Sequence, residues 1–337
     1  MQSVVWRIKL ASSVCGLLAG LKILGVILLP VLSAPAFAQT ASDFPNKPIR
    51  MLVPFAAGSG ADSSARVVAN ELQRTLGQSV LVENKPGGSG AVAALSVKLA
   101  PADGYTIFVG TSSPMTVNTI VIKNLPYDPV KDFKALHGIG RSQNVWYVAN
   151  ESSVKSLPEL LALGKTRQLT MGTYSAGYQI AFEWVSLLSG IKFTYVPYKG
   201  QAQIFTDIVG GQLDVGVGDL GGALALLQGG KFRAIAVSGE SRHPALPNVA
   251  TIKELFAEYS NYAWTALWVR SDTPADIHGK LTNAVQQALR TAEYTRYLES
   301  QGSESMLQYG PEPMGKYQAA EIARFKAIAA AAGIKPE

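Results

Sequence analysis

Short apolar runs alternate with stretches of helical period along this chain, and the alternation occurs twice. Residues 49–53 form an apolar run after Pro48 and read as a strand. Residues 61–76 place Ala65, Val68, Ala69, Leu72 and Leu76 at helical spacing, and Gly77 closes that helix. A strand at 79–82, a turn at Asn84-Lys85-Pro86-Gly87-Gly88, a helix at 89–99 and a strand at 105–109 follow. This βαβαβ order implies a parallel sheet with right-handed crossovers. No repeat of 20–50 residues is evident.

A second series begins near Val145. Strands are expected at 145–149, 168–171, 193–196, 213–217 and 234–237, and helices at 179–188, 201–209 and 220–228. Ser156-Leu157-Pro158-Glu159 opens a further helix with a capping-box pattern. A polar loop spans 238–248, and residues 262–269 return as a strand. Helices at 274–290, 293–300 and 311–330 have no sheet of their own and are expected to pack back on the first lobe. The reading is therefore two α/β lobes with a cleft between them. Two strands cross, near 141–146 and 262–267. Lobe 1 takes 39–142 plus 266–337, and lobe 2 takes 143–265.

The N-terminus is a targeting signal by composition. Arg7 and Lys9 precede an apolar core that runs from Ile23 to Leu32, and Ala36-Phe37-Ala38 is a small-x-small cleavage pattern. The cut is expected after Ala38. Lys22 limits the apolar run to about ten residues, too short to span a bilayer. Cys15 lies before that core and behind the bulky Val14, so a lipoprotein site is rejected. The exported product would be a soluble periplasmic chain without cysteine. The net charge of +6, less Arg7, Lys9 and Lys22, leaves +3 for the exported part. With no basic run, nucleic acid is not implied. Three histidines in separate segments (His137, His243, His278) offer little to a zinc site or a histidine-based centre.

The turn between the first strand and helix is Ala57-Gly58-Ser59-Gly60-Ala61-Asp62. Glycines admit a tight turn and close ligand approach, and a helix start offers free amides and a positive dipole end. Three readings are open. The turn is a plain βα connection with Asp62 as a helix-start acid, an anion site, or part of a dinucleotide site with Glu83 as the ribose acid. The last lacks its third glycine, since Ser63 stands there.

The residues Phe44-Pro45-x-Lys-Pro-Ile-Arg-x-x-Val-Pro-Phe55, followed by Ala-Gly-Ser-Gly-Ala-Asp62, resemble the start of tripartite tricarboxylate transporter substrate-binding proteins, the Bug family. Further matches come in order: Val82–Gly87, Asp103-Gly104-Tyr105-Thr106, Leu125-Pro126-Tyr127-Asp128-Pro129, Val196-Pro197-Tyr198-Lys199-Gly200, Gly211-Gln212-Leu213-Asp214 and Ala332-Gly333-Ile334-Lys335-Pro336. The resemblance implies a two-lobed periplasmic-binding-protein-like fold (type II), two doubly wound sheets joined by two crossing strands. It also implies a hinged receptor for a small carboxylate or amino acid, a non-enzyme without cofactor or metal. A monomer is expected, with a membrane transporter as partner or, in another reading, a two-component sensor kinase.

By position, three loops are expected at the cleft: Phe55 with Gly58, Ser59, Gly60 and Asp62; Thr111 with Ser112 and Ser113; and Ser175 with Ala176, Gly177 and Tyr178. Asp219 joins them at a family cleft position, to accept from a ligand amine or hydroxyl. Plainer roles stand beside these. Ser112 and Ser113 are also placed to cap a helix, as is Asp219 for residues 220–228. Tyr198 and Lys199 more simply shape a turn. Tyr178-Gln179-Ile180 departs from the family pattern, and a Tyr178 ring would narrow the pocket. Gly221-Gly222 stands where the family usually has proline. An exported hydrolase is the competing class, but no G-x-S-x-G elbow is present.

Overall fold

The computed structural model describes residues 44–336. The expected leader, with Cys15 and the cut after Ala38, lies outside the described residues. Strands β1 (Ile49–Val53), β2 (Val80–Asn84) and β3 (Thr106–Thr111) run parallel in the order β2-β1-β3. The first crossover is helix α1 (Gly60–Leu76). The Ser59 side chain caps it by accepting from the Asp62 amide, and Gly77 ends it at φ 68°. Ala61, Ala65, Val68, Ala69 and Leu72 form its buried stripe. The second crossover begins as a single tight turn at Gly88–Gly90 and continues as α2 (Ala91–Lys98).

The strand expected at 145–149 is the tail of a much longer one. β4 (Phe133–Ala149) has 17 residues and belongs to both halves of the sheet. Up to Gln143 it pairs antiparallel with β9 (Tyr262–Arg270), which also borders β3. From Asn144 onward it pairs antiparallel with β7 (Val215–Asp219), and from Val145 onward with β8 (Phe232–Val237). Beyond β7 lie β5 (Leu169–Thr173) and β6 (Phe193–Pro197), all three parallel. Their crossovers are α5 (Ala176–Ser189) and α6 (Gln201–Val209), while α7 (Leu220–Gln228) leads to β8. The capping reading at α4 (Leu157–Gly164) holds at Ser156, which accepts from the Glu159 amide, while the Glu159 carboxylate turns to the Lys155 amide.

Where β8 returns toward β9 the backbone is stitched to β4. Ser238 Oγ accepts from the Asn144 amide at 2.7 Å and donates to the Asn261 carbonyl at 2.5 Å. After β3, residues 113–117 wind as a wide helical turn into α3 (Asn118–Val121), the helix whose start the plainer reading of Ser112 and Ser113 implied, although neither side chain caps it. The two-residue strand β10 (Glu304–Ser305), paired with Arg141 and Gly140 of β4, is also new.

The terminal helices do more than return to the first half. α8 (Ala275–Ala288) and α9 (Ala292–Ser300) lie on the side of α1. α10 (Pro311–Ala331) spans both halves: Phe325, Ile328 and Ala329 pack with Val117 and Ile120 on one side and with Ala176 and Ile180 of α5 on the other.

Candidate functional site

The three loops and Asp219 converge on one cavity between the two halves of the sheet. Of the residues singled out in the sequence, Phe55, Gly60, Thr111, Ser112, Ser113, Ser175, Tyr178 and Asp219 line it. Each arrives from the C-terminal end of a parallel strand, where backbone diverges into a helix start and leaves its amides unpaired. Gly60 and Ala61 are the first residues of α1, and both are on the wall.

Gly58, Ser59, Asp62, Ala176 and Gly177 are not among the lining residues, and their bonds show why. Asp62 is buried and saturated: its carboxylate accepts from the Gly58 amide, from Arg66 and from Asn84 Nδ2. Burial pushes this carboxyl up, but Arg66 and those donors outweigh it and hold the pKa below the usual range. Asp62 thus shapes the loop, and Ser59 caps the helix. The amides of Ala176 and Gly177 donate across the cleft to Ser89 Oγ at 3.1 Å and Ser113 Oγ at 2.9 Å. Ser89 reaches that position from a run of left-handed residues, Gly87 to Gly90, in which it is the one side chain at positive φ.

Asp219 is both cap and wall. One oxygen accepts from Ser142 Oγ at 2.7 Å, the other from the Gly222 amide in the first turn of α7 at 2.8 Å. Burial raises its pKa, which those two donors partly offset. The carboxylate lies against α1: a Cβ at Gly60 would sit 2.4 Å from Asp219 Oδ2. No side chain larger than hydrogen fits there with the halves as they stand.

The remaining wall is aromatic. Phe55, Tyr174 and Tyr178 stack edge to face in sequence, with centroids 5.4 and 5.0 Å apart, so one half meets the other through rings. Tyr174 donates its hydroxyl to that of Tyr178 at 3.2 Å. Tyr178 is part of the cavity wall. The open volume is about 60 Å³, on a scale where one water takes roughly 10–15 Å³. Tyr198 shapes a turn, donating to Asp207, and Lys199 is exposed.

Several wall residues escaped the sequence reading. Arg141, Ser142, Trp264 and Thr265 sit where β4 and β9 cross beneath the cleft, and strand register brings them there: Trp264 pairs with Arg141, and Thr265 with Thr111. Tyr294 and Tyr297 of α9 complete the wall with Gln301. Their three-residue spacing on one helix face was the available signal. Thr111 Oγ1 and Trp264 Nε1 are buried without a hydrogen-bond partner.

Features of the rival readings have other occupations. Glu83 is held in a two-point pair with Arg50 at 2.6 and 2.7 Å. His137 and His278 are buried, each bonded to a backbone carbonyl. No group of three or more His, Cys, Asp or Glu able to hold a metal occurs among the described residues.

A two-lobed α/β architecture with a polar and aromatic cavity at strand ends defines a solute-binding protein. The profile of the tripartite tricarboxylate transporter family receptor matches residues 64–334, and the chain belongs to that family. A protein from the TAR-I ttuE-ttuC' intergenic region of Agrobacterium vitis is 31% identical over 314 residues, covering 91% of this chain and 90% of the relative. Among solved structures, Rpa4515 of R. palustris with adipate is 32% identical with a TM-score of 0.83, covering 88% of this chain and all of that one. MatC of Rhodopseudomonas palustris with bound malate is 27% identical with a TM-score of 0.81, covering 85% and 99%.

Proposed function

We propose that this protein is a periplasmic receptor that captures a small carboxylate-bearing solute between its two lobes and delivers it to a tripartite tricarboxylate-type transporter. One observation carries the reading. The start of α1, the Thr111–Ser113 turn, Ser175 and Tyr178 meet at one cavity. Helix-start amides and loop hydroxyls are donors from which a carboxylate accepts. The α1 dipole adds attraction for negative charge. Asp219 retains lone pairs for a ligand hydroxyl or amine, so a hydroxy or amino acid suits the inner end. Adipate and malate in the family neighbours support the carboxylate class.

A solute enters as the halves part across the β4 and Ser238–Asn261 crossings and is held when they close over it. The test is a thermal-shift screen against mono- and dicarboxylates, amino acids and aromatic acids, with NAD as a control. A ligand at a hundred times its dissociation constant stabilises by about 2.7 kcal/mol. Stabilisation by a carboxylate without its turnover supports the receptor. Stabilisation by NAD alone overturns it.

A further inference from the structure

Two charged side chains, Arg141 and Asp219, occur among the described residues that line the cavity. They lie at different depths. Asp219 is 7% exposed and already bonded to Ser142 and Gly222. The Arg141 side chain is 33% exposed and marks the mouth. We infer that Arg141 binds the second, outer carboxylate of a dicarboxylate whose inner carboxylate lies at α1 and Thr111, so that it selects dicarboxylates over monocarboxylates. This rests on the receptor reading above.

The geometry suits that task. The guanidinium lies over the Tyr262 ring at 4.5 Å, which fixes its plane while leaving its edges free. Its Nε and Nη2 both approach a single oxygen, Glu304 Oε2, at 2.8 and 2.6 Å. Nη1 has no hydrogen bond among the described residues. A guanidinium has five N–H donors in a planar fork, so a second carboxylate can add at the open edge without displacing Glu304. Glu304 is itself 46% exposed on a two-residue edge strand, so the pair is screened and contributes little on its own. The inner cavity is also short. An acid anchored inside must project its far end toward the mouth, where a bare methyl would meet a cation and a carboxylate would be paired.

The experiment is calorimetric titration of wild type, Arg141→Gln and Glu304→Gln with four probes: butyrate, succinate, hexanoate and adipate. Wild type is expected to bind the better diacid at least tenfold more tightly than the monoacid of equal length. In Arg141→Gln that ratio falls to within about twofold of unity, because the diacid loses far more affinity than the monoacid. Glu304→Gln, which leaves the guanidinium whole, raises diacid affinity severalfold. An unchanged ratio in Arg141→Gln overturns the inference and leaves the receptor intact. If none of the four acids, nor any other acid of the wider screen, binds wild type, the receptor reading itself falls and this one with it.

Discussion

Replacing Gly60 by alanine should separate closure from folding. Gly60 opens α1, and its φ lies outside the left-handed region, so the backbone accepts a side chain. Within the helix the change is favourable by up to about 1 kcal/mol. Across the cleft it is not. The new Cβ would lie 2.4 Å from Asp219 Oδ2 and 2.7 Å from its Cγ. That carboxylate cannot simply swing aside, because Ser142 and Gly222 hold one oxygen each. Either those two charge-assisted bonds break or the halves part. Losing a hydrogen bond to a charged group costs roughly 1.5–3 kcal/mol, and the cost falls on the closed state alone. The dissociation constant for the best-binding acid should therefore rise about ten- to hundredfold. The ligand-free melting temperature should hold or rise. Calorimetric titration and a thermal melt on the same sample make the comparison. An affinity within twofold of wild type would refute the steric argument, as would a fall in ligand-free stability matching the loss of binding.

Ser113→Ala and Ser89→Ala each remove an acceptor from an α5 amide that crosses the cleft. Each should weaken ligand binding by about three- to tenfold, as a net hydrogen bond of about 1 kcal/mol implies, with little change in ligand-free stability by urea denaturation. Burial depresses the pKa of both His137 and His278 below the ordinary 6.5. As the pH falls through 6.5 the unfolded chain takes up protons that the folded one refuses, so stability present at neutral pH drains away toward the lower folded values. Urea midpoints should drop between pH 7.5 and 5.5, and His278→Gln should flatten that slope. Asp214 accepts from the Thr170 amide, Thr170 Oγ1 and Arg167, and burial notwithstanding its pKa lies below the usual range. Asp214→Ala should cost roughly 2 kcal/mol in denaturant melts, with ligand affinity unchanged.

How much of this was legible depended on whether the signal was local. The helices at Gln201–Val209 and Leu220–Gln228 fell where periodicity and glycine brackets put them. β4 did not. Phe133–Gln143 contains His137, Gly138, Gly140 and Arg141, and as a central strand it is buried on both faces, so it lacks the alternation that reveals a half-buried strand. The stretch at 113–121 begins Ser-Pro and holds Thr116, Val117 and Thr119, β-branched residues that weaken a helical pattern. At the site, strand-end loops were readable because chain direction alone places them at the sheet's C-terminal edge. Arg141, Trp264 and Tyr297 were not, because strand register and the docking of a remote helix bring them in. For Asp62 a local hint existed: Arg66, four residues on, is an ion-pair partner on a helix.

The sharing of β4 between both halves also sets an order of assembly. From Asn144 to Val237 the chain is contiguous, so the second half has its own strands in hand once β8 has emerged. The first half does not. Val109 of β3 must wait for Leu267 before it has a neighbour, and β4 must wait for the same strand along Phe133–Gln143. Until residues 262–270 arrive, β3 presents an open edge of unpaired backbone, the kind of surface on which chains stick to one another. The last quarter of the polypeptide is thus the closing seam of its first half, and a chain cut short before β9 should be prone to aggregation despite holding every loop that reaches the cavity from the parallel strands.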